Sequence, residues 1–369
     1  MKISKYNYVD QIADFVEELS IEFKEILLNG DFILGKKVED FEVSLAKHLK
    51  SKYSLGLNSG TDALTLSLMT LGIGVGDEVI TQANTFYATI SSIINVGAKP
   101  VLIDADNDTF LIDIDKIEEK ITSRTKAILP VHLYGKPTQM SKIMDIAKRH
   151  NLFVIEDNAQ SFGAKTEGQF AGTIGDIGCL SFHPSKNLGA AGDGGAILTN
   201  NKGIYEDIKI RRSLGQISQN EHINLGINSK LDVIQALVLN KKINKIELWT
   251  KQRNLIAEKY IKFLNKLPIS FQSRSKNETH VYNLFQVRTP LRDELEKHLL
   301  KDGIDVVVRY PTPIHLQKAF ESLAYSKGSF PVAEALSNQL LALPIRPDLS
   351  DSEINYICSS IYSFFGEKL

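Results

Sequence analysis

The sequence "IGCLSFHPSKNLGAAGDGGAILTN", residues 177–200, contains two short apolar runs, "IGCLSF" and "GAILTN", on either side of a glycine-rich loop. Both runs are apolar throughout rather than alternating, which is typical of strands buried on both faces. The loop carries one lysine, Lys186, after a proline and before a segment that ends at Gly195. Because glycine lets the backbone pass close to a ligand, we expect Lys186 to lie in a ligand-binding loop beyond a buried strand.

Similar apolar runs lie upstream, and segments with helical spacing separate several of them. The runs are "DEVITQ", "KPVLIDA", "KAILPVHL" and "LFVIED", and the helical segments are 61–71, 86–95 and 138–150. Strands that alternate with helices predict a mainly parallel sheet with helices on both faces. We therefore predict an α/β fold for residues 53–200.

The pattern changes after residue 228. Residues 229–266 have the spacing of one long amphipathic helix with a break near Asn244, and Ser229 is the expected N-cap. This helix would join the sheet to a smaller C-terminal α+β unit. The elements expected in that unit are a strand at 280–288, a helix at 290–302, a strand at 303–309 and a helix at 351–363.

The length of 369 residues favours two domains over one core. We expect a large domain at 1–246 and a small C-terminal domain at 247–369. The net charge of −1 gives no electrostatic reason to expect nucleic acid or an anionic membrane as a partner. No apolar run reaches the length of a membrane span, and the N-terminus lacks the apolar core of a signal peptide. We expect a cytoplasmic protein.

Three polar groups follow strands of the predicted sheet, at the edge where such sheets bind ligands. In "NSGTDAL", Gly60 and Thr61 begin an apolar helix, whose free N–H groups favour a phosphate. An ordinary helix cap made by Ser59 or Thr61 is the alternative.

The second group is "VIEDNAQSFGA", in which Glu156 and Asp157 end a buried strand and Gln160 follows three residues later. A strand-end carboxylate can hold a heterocyclic nitrogen protonated, or it can simply cap a loop. In the third group, Ser181 ends another strand and Lys186 follows it. Taken alone, Lys186 could be a surface lysine in a flexible turn.

Together the three groups match the needs of pyridoxal 5'-phosphate (PLP). Its phosphate suits a helix N-terminus, and its ring nitrogen needs an anionic partner if the ring is to act as an electron sink. Its aldehyde needs a lysine amine whose pKa burial has lowered. We therefore predict PLP as the cofactor, with pyridoxamine 5'-phosphate as its half-reaction form.

The motifs resemble those of the DegT/DnrJ/EryC1/StrS sugar aminotransferases, which are fold-type I PLP enzymes. The matching stretches lie within residues 34–316, in family order: "SGTDALTLSL", "ANTFYATISSIINVGAKPVLIDAD", "ILPVHLYGKPTQM", "VIEDNAQSFGA", "SFHPSKNLGAAGDGGAILTN", "LGINSKLDVIQALVL" and "RYPTPIHLQ". The resemblance implies a large domain with a mainly parallel sheet and a smaller C-terminal α+β domain.

The resemblance also implies catalytic roles. Lys186 would form the Schiff base with PLP and then move a proton between cofactor and substrate carbons. Asp157 would pair with the pyridinium nitrogen. Gln160 would lie near the phenolic oxygen, and Phe86 would cover the ring face.

The phosphate would be held by Gly60, Thr61 and Ser181. Asn228, in "GINSK", would reach the phosphate of the neighbouring subunit's cofactor, since the family works as a homodimer with shared active sites. The family usually has arginine two residues later, where this chain has Lys230. Lysine cannot make the same bidentate contact with a carboxylate, so Lys230 is a weaker substrate-binding candidate.

A branch of the family that performs dehydration has histidine in place of the lysine, so Lys186 favours transamination. The loop "PSKNLGAAGDGGA" resembles that of members that aminate C3. The resemblance therefore implies a dTDP-3-keto-6-deoxyhexose acceptor and L-glutamate as donor, giving dTDP-3-amino-3,6-dideoxyhexose and 2-oxoglutarate. His183, Tyr310 and His315 are candidates for the sugar pocket, although His183 could simply pack at a strand end.

Other functions remain to be distinguished. Amination at C4 of a UDP- or GDP-4-keto sugar is the nearest alternative, and a non-enzymatic PLP-binding regulator is another. A dehydrogenase could be argued from Gly72, Gly74 and Gly76, but this GxGxG precedes a strand and is typical of a helix-to-strand turn. The histidines and the two cysteines, Cys179 and Cys358, show no metal-type spacing, so we expect no metal.

Overall fold

The computed structural model describes residues 1–366 and has the mainly parallel central sheet that the sequence predicts. The α-helices are α1 (Val16–Asn29), α2 (Lys36–Leu49), α3 (Gly60–Thr70), α4 (Tyr87–Asn95), α5 (Met140–His150), α6 (Lys202–Arg211), α7 (Val233–Lys242), α8 (Ile246–Leu264), α9 (Arg292–Lys301), α10 (Pro331–Gln339) and α11 (Asp351–Phe365). The strands are β1 (Tyr53–Leu57), β2 (Glu78–Gln82), β3 (Lys99–Ile103), β4 (Thr125–Leu129), β5 (Phe153–Asp157), β6 (Lys165–Thr166), β7 (Gln169–Phe170), β8 (Ile177–Ser181), β9 (Gly195–Thr199), β10 (Gln216–Ser218), β11 (Glu221–His222), β12 (Ser270–Phe271), β13 (Glu278–Thr279), β14 (Phe285–Arg288) and β15 (Leu340–Leu343).

The central sheet has seven strands in the order β1-β9-β8-β5-β4-β2-β3. Strand β9 runs antiparallel to both of its neighbours, and the other pairings are parallel. Strands β5 and β8 are adjacent, so their carboxyl ends bring Asp157 and Ser181 to the same edge of the sheet. This edge carries the loops that the sequence singled out.

Helices cover both faces of the sheet, as the uniformly apolar runs predict. In β2, Val79 packs in a core with α3 residues such as Leu66, whereas the next residue, Ile80, packs in a different core with Ile143 of α5. Strand β1 and helices α1, α2 and α10 were not among the expected elements. The GxGxG of residues 72–76 lies between α3 and β2, which confirms the helix-to-strand turn.

The long helix expected at 229–266 is two helices, α7 and α8, joined by a 3₁₀ turn at Ile243–Lys245. The expected break near Asn244 is confirmed, but the expected N-cap at Ser229 is wrong. Helix α7 starts after Asp232, and the Ser229 hydroxyl is instead hydrogen-bonded to Asn58. A hydroxyl used in this long-range contact cannot cap the helix.

The C-terminal part of the chain has its own hydrophobic core, here called the second core. It contains α8, α9, α11 and the sheet β12-β14-β15. Two of its expected helices are confirmed by α9 and α11, and β14 falls within the expected strand at 280–288. The strand expected at 303–309 is wrong, because this segment makes only isolated bridges, from Ile304 to Ile3 and from Val307 to Ala342. Strand β15 occupies the place beside β14 instead.

The division at residues 246 and 247 stays a prediction. Ile246 packs with the core around α2 and α7, and residues from Ile256 onward pack in the second core. Ile3 also packs in the second core, so the start of the chain crosses to it. Within residues 1–366, no helix has the length and apolar character that a bilayer crossing requires.

Candidate active site

Asp157 ends β5 and is 5% exposed at the carboxyl edge of the sheet. Thr89 donates a hydrogen bond to its Oδ2 at 2.8 Å, and the Ala159 N–H donates to its Oδ1 at 3.2 Å. Burial raises the pKa of Asp157, while these two hydrogen bonds and the nearby Lys186 charge oppose the rise. A buried carboxylate with remaining acceptor capacity is suited to a cationic ring nitrogen.

Lys186 lies in the loop between β8 and β9, where its N–H donates to the His183 carbonyl at 2.8 Å. Its side chain is partly buried. Burial and the Arg309 charge, opposed by Asp157, together lower the pKa of Lys186 to about 8. A larger fraction of the amine is therefore neutral near physiological pH, as nucleophilic attack on a carbonyl carbon requires.

The start of α3 packs tightly against the ends of β8 and β9. A Cβ added to Gly60 would lie 2.8 Å from the Ser181 Cβ, and one added to Gly195 would lie 2.3 Å from the Ser59 carbonyl carbon. Ser59 caps the helix by accepting from the Asp62 N–H at 3.1 Å, which confirms the cap. The cap takes one N–H, so those at the very start of the helix remain available to an anion beside Ser181.

Gln160 connects the sheet edge to an aromatic group. Its Oε1 accepts from the Tyr134 N–H at 2.9 Å, and its Nε2 donates to the Tyr310 hydroxyl at 2.7 Å. The Tyr310 ring lies 6.1 Å from the Tyr134 ring and 6.3 Å from the Phe86 ring between centroids. Phe86 is 49% exposed, so its ring can cover a flat ligand.

Two of the sugar-pocket candidates differ in their surroundings. His183 is exposed beside Lys186, and its Nδ1 lies 2.9 Å from the Ser185 hydroxyl. His315 is buried, with Nε2 3.0 Å from a Glu334 carboxylate oxygen and its ring against Phe330. Phe330 belongs to a separate apolar cluster, and no hydrogen bond or ring contact joins His315 to Lys186 within residues 1–366.

Asn228 and Lys230 contact each other, since the Lys230 ammonium donates to the Asn228 side-chain oxygen. Asn228 also forms an isolated bridge with Ser213. Within this single chain the two residues are joined by these contacts to the segment after α6 and not to Lys186. Their expected roles toward a neighbouring subunit's cofactor and toward substrate stay predictions.

Two residues near Asp157 and Lys186, Thr89 and Arg309, were not among the site residues predicted from the sequence. Thr89 lies in "FYATI", where its spacing of four from Thr85 was the available signal for a shared helix face. Arg309 precedes Tyr310 in "RYPTPIH", and its charge acts on Lys186 and on Lys5.

Glu156, the neighbour of Asp157, has a structural role. Its carboxylate accepts from the N–H groups of Gly172, Ile174 and Gly175 and lies 2.9 Å from His132 Nε2. Its pKa is lowered because His132 and these N–H groups together outweigh burial. Glu156 is thereby fully engaged away from the Lys186 cleft.

The arrangement fits PLP on the evidence of the chain itself. The close packing of Gly60 against Ser181 and of Gly195 against Ser59 fixes the start of α3 beside the end of β8, where the free N–H groups of the helix suit a phosphate. The buried Asp157 carboxylate and Lys186, whose pKa is lowered, act on each other electrostatically. The site can therefore hold a phosphate, a ring nitrogen and a carbonyl carbon at once.

Sequence comparisons identify similar proteins over nearly the whole chain. The model of a family described as the DegT/DnrJ/EryC1/StrS aminotransferase family matches residues 14–362. A dTDP-3-amino-3,6-dideoxy-alpha-D-galactopyranose transaminase of Aneurinibacillus thermoaerophilus is 40% identical, over 94% of this chain and 95% of the relative. A UDP-N-acetyl-3-dehydro-alpha-D-glucosamine 3-aminotransferase of Acidithiobacillus ferrooxidans is also 40% identical, over 96% of each protein. A pleiotropic regulatory protein of Geobacillus stearothermophilus is 40% identical over 99% of each.

Solved structures share the fold. The structure of DesV from S. venezuelae in complex with a ketimine intermediate has a TM-score of 0.96 and 36% identity, and 98% of each chain is covered. NtdA from Bacillus subtilis with bound cofactor PMP has a TM-score of 0.91 and 35% identity, covering 100% of this chain and 86% of that chain.

Proposed function

Because the chain belongs to the DegT/DnrJ/EryC1/StrS aminotransferase family, we propose that it transfers an amino group from L-glutamate to C3 of a dTDP-3-keto-6-deoxyhexose. The products are dTDP-3-amino-3,6-dideoxyhexose and 2-oxoglutarate. The class of reaction follows from the family, since the chain is a PLP-dependent nucleotide-sugar aminotransferase with the fold of the type I PLP enzymes.

One observation carries the catalytic assignment. Burial and the Arg309 charge lower the pKa of Lys186 to about 8, and Asp157 acts on it from the end of β5. Two relatives with names that specify a 3-amino product or a 3-aminotransferase support C3 as the position, although one carries dTDP and the other UDP. The "PSKNLGAAGDGGA" loop supports the same position.

In the proposed mechanism, each residue has a defined task. When bound, PLP supplies an electron sink that stabilises negative charge at the carbon bearing the amino group. Lys186 Nζ would hold the cofactor, and once freed by the amino donor it would take the proton that leaves the donor Cα. Asp157 would keep a proton on the ring nitrogen, and its burial would strengthen their electrostatic attraction.

The remaining residues bind and orient. Gly60 and Thr61 offer N–H groups to the phosphate, and Ser181 offers its hydroxyl. Phe86 covers the exposed ring face, and Gln160 is held beside Tyr310 at 2.7 Å.

The anionic part of the substrate is assigned to a different cation from the one first expected. Lys230 is engaged with Asn228, whereas Arg309 acts on Lys186 directly. Arg309 can also make the bidentate contact with a carboxylate that lysine cannot. We assign Arg309 to an anionic substrate group, with Tyr310 and His183 beside it in the sugar pocket; His315, in its separate cluster, is a weaker candidate.

A homodimer with shared active sites is part of the proposal. The segment that leads to Asn228 exposes apolar side chains, among them Leu214 at 48%, Ile217 at 50% and Leu225 at 83%. An apolar surface of this kind is typical of an interface. The free and buried Cys179 and Cys358 suit the reducing cytoplasm.

Two alternatives are tested by the same protein preparation. Amination at C4 of a UDP- or GDP-4-keto sugar would leave the Lys186 chemistry unchanged and alter only the acceptor. A PLP-binding regulator without turnover is favoured by one observation, the similarity to a protein named as a pleiotropic regulator. Such a protein would bind PLP and show no glutamate-dependent amination.

The deciding experiment incubates the purified protein with PLP and L-glutamate, and then with 3-keto or 4-keto nucleotide sugars. We expect glutamate to bleach the yellow band of the lysine-linked cofactor, and NMR of the product to place nitrogen at C3 of the dTDP sugar. Amination of the 4-keto sugar alone would reject the C3 assignment. A yellow band that glutamate does not bleach, with no amino sugar from any acceptor, would favour the regulator.

A further inference from the structure

Two threonine hydroxyls form a buried chain that ends at Asp157. The Thr85 and Thr89 hydroxyl oxygens are 2.8 Å apart, and Thr89 Oγ1 is 2.8 Å from Asp157 Oδ2. Thr85 is 4% exposed, Thr89 is 0% exposed and Asp157 is 5% exposed. The three groups are therefore shielded from water. Hydrogen bonds to a charge are stronger in such a buried environment than in water.

The number of protons fixes the direction of the chain. Each hydroxyl has one proton to donate, and an ionised carboxylate can only accept. If Asp157 is ionised, Thr89 donates to it, and Thr85 donates to Thr89. In this direction each hydroxyl proton has an acceptor, so the two hydrogen bonds favour the ionised form of Asp157.

The position of α4 reinforces this preference. Helix α4 begins at Tyr87 without any side-chain cap, so the Thr85 and Thr89 hydroxyls do not serve the helix end. Thr89 lies in the first turn, where the positive end of the helix dipole attracts an anion. The hydroxyls and the helix end thus both favour a charged Asp157.

From this geometry we propose that Thr89, supported by Thr85, is a positioning residue that keeps Asp157 ionised and its carboxylate fixed toward the cofactor. The inference rests on the role proposed above for Asp157 toward the ring nitrogen. Thr89 acts through Asp157 and has no contact with the reacting atoms in this assignment. Its hydroxyl leaves the other carboxylate oxygen, already near the Ala159 N–H, available to the ring nitrogen.

Other groups also face Asp157 and must be considered in any pH dependence. Lys186 and His132 both lower the pKa of Asp157, and Asp157 in turn raises the pKa of the Cys179 thiol and of the Tyr310 hydroxyl. Glu156 precedes it in β5 and is engaged with His132. In contrast to these groups, Thr89 donates a hydrogen bond to the Asp157 carboxylate. Removing the Thr89 hydroxyl is therefore the most specific change.

The test compares Thr89→Val, which keeps the shape but lacks the hydroxyl, with Thr89→Ser, which keeps the hydroxyl. The readouts are the PLP dissociation constant of the apoenzyme and the pH at which PLP affinity is lost on acidification. A hydrogen bond to a charged group shifts the pKa of that group by about one to two units. Thr89→Val should therefore weaken PLP binding about tenfold. The pH at which PLP affinity is lost on acidification should also rise by about one unit, because the ionised Asp157 carboxylate loses a hydrogen-bond donor.

Thr85→Val should shift both readouts in the same direction by a smaller amount, and Thr89→Ser should restore them. The matched control is Thr81→Val, since the buried Thr81 hydroxyl donates only to the Leu129 carbonyl, at 2.7 Å. A Thr89→Val protein with wild-type affinity and pH limb would overturn the inference, as would equal losses in the Thr81→Val protein. If Asp157→Asn also leaves both readouts unchanged, the Asp157 assignment itself is wrong.

Discussion

The reactivity of Lys186 comes from its surroundings. A lysine in water has a pKa near 10.5, whereas burial and the Arg309 charge bring that of Lys186 to about 8. The neutral amine is the nucleophile and the base, so this shift raises the reactive fraction at physiological pH.

The first prediction is loss of turnover in Lys186→Ala. We expect turnover to fall at least about a thousandfold, because both the covalent link and the proton transfer depend on Nζ. The purified variant should lack the yellow band of the lysine-linked cofactor and fail to convert glutamate to 2-oxoglutarate. The exposed Lys202 provides a control, since Lys202→Ala should keep wild-type turnover. Substantial glutamate turnover in Lys186→Ala would remove Lys186 from the mechanism.

The second prediction concerns pH. Cofactor capture by the apoenzyme needs neutral Lys186, so its rate should rise with pH and level off above about 8. Arg309→Gln removes a positive charge that lowers the Lys186 pKa, so the midpoint should move upward. Arg309→Lys keeps the charge and should leave the midpoint near the wild-type value. Stopped-flow absorbance of apoenzyme mixed with PLP measures the capture rate of each variant as a function of pH. An Arg309→Gln protein with the wild-type pH midpoint would contradict the charge effect.

At the scale of elements, the start of α3 depends on the strand behind it. Gly195 begins β9 and pairs with Ser181 and Leu57, which places its backbone against Ser59. This close approach needs a residue without a Cβ, and it sets where the free N–H groups of α3 lie.

The third prediction follows from that contact. In Gly195→Ala the new Cβ would lie 2.3 Å from the Ser59 carbonyl and 2.7 Å from the Gly60 N–H nitrogen, so the helix start must move. We expect a loss of roughly 1–3 kcal/mol in the free energy of unfolding and weaker PLP binding, because the phosphate site shifts. Gly203→Ala is the control, since its Cβ would meet only the Asn201 side chain, at 3.3 Å. Calorimetry and PLP titration measure the two effects, and parallel behaviour of the two variants would refute the packing explanation.

At the scale of the whole molecule, the site is expected to need two chains. Asn228 is not joined to the Lys186 cleft within one chain, and the segment before it exposes apolar side chains such as Leu225. A twofold dimer would bury this surface and bring Asn228 of one subunit to the phosphate of the other.

The fourth prediction tests this sharing by complementation. Lys186→Ala and Asn228→Asp proteins should each be impaired alone, whereas mixed dimers should contain one site with both residues intact. Random exchange should restore about a quarter of wild-type activity, because half of the dimers are mixed and each has one good site. Light scattering checks the dimer, and the absence of any recovery after proven subunit exchange would place Asn228 in its own chain's site.

The sequence by itself determined the fold class and the cofactor. Six of the central strands fell on the apolar runs, because a strand buried on both faces needs an uninterrupted apolar segment, and such a segment is visible locally. It also predicted that Lys186, Asp157 and Gly60 lie at one edge of the sheet, because parallel strands bring their carboxyl ends together whatever the details of packing. The resemblance of the motifs then specified the cofactor roles.

The tertiary structure alone decided the contacts between distant segments. Thr89 and Asp157 are 68 residues apart, and Gln160 and Tyr310 are 150 apart, so no local pattern could pair them. The same reason explains the two wrong predictions. Ser229 forms its side-chain hydrogen bond with Asn58 and does not cap α7, and β15 pairs with β14 at the position expected for residues 303–309. Periodicity records which face of an element is buried, whereas its partner depends on how the whole chain packs.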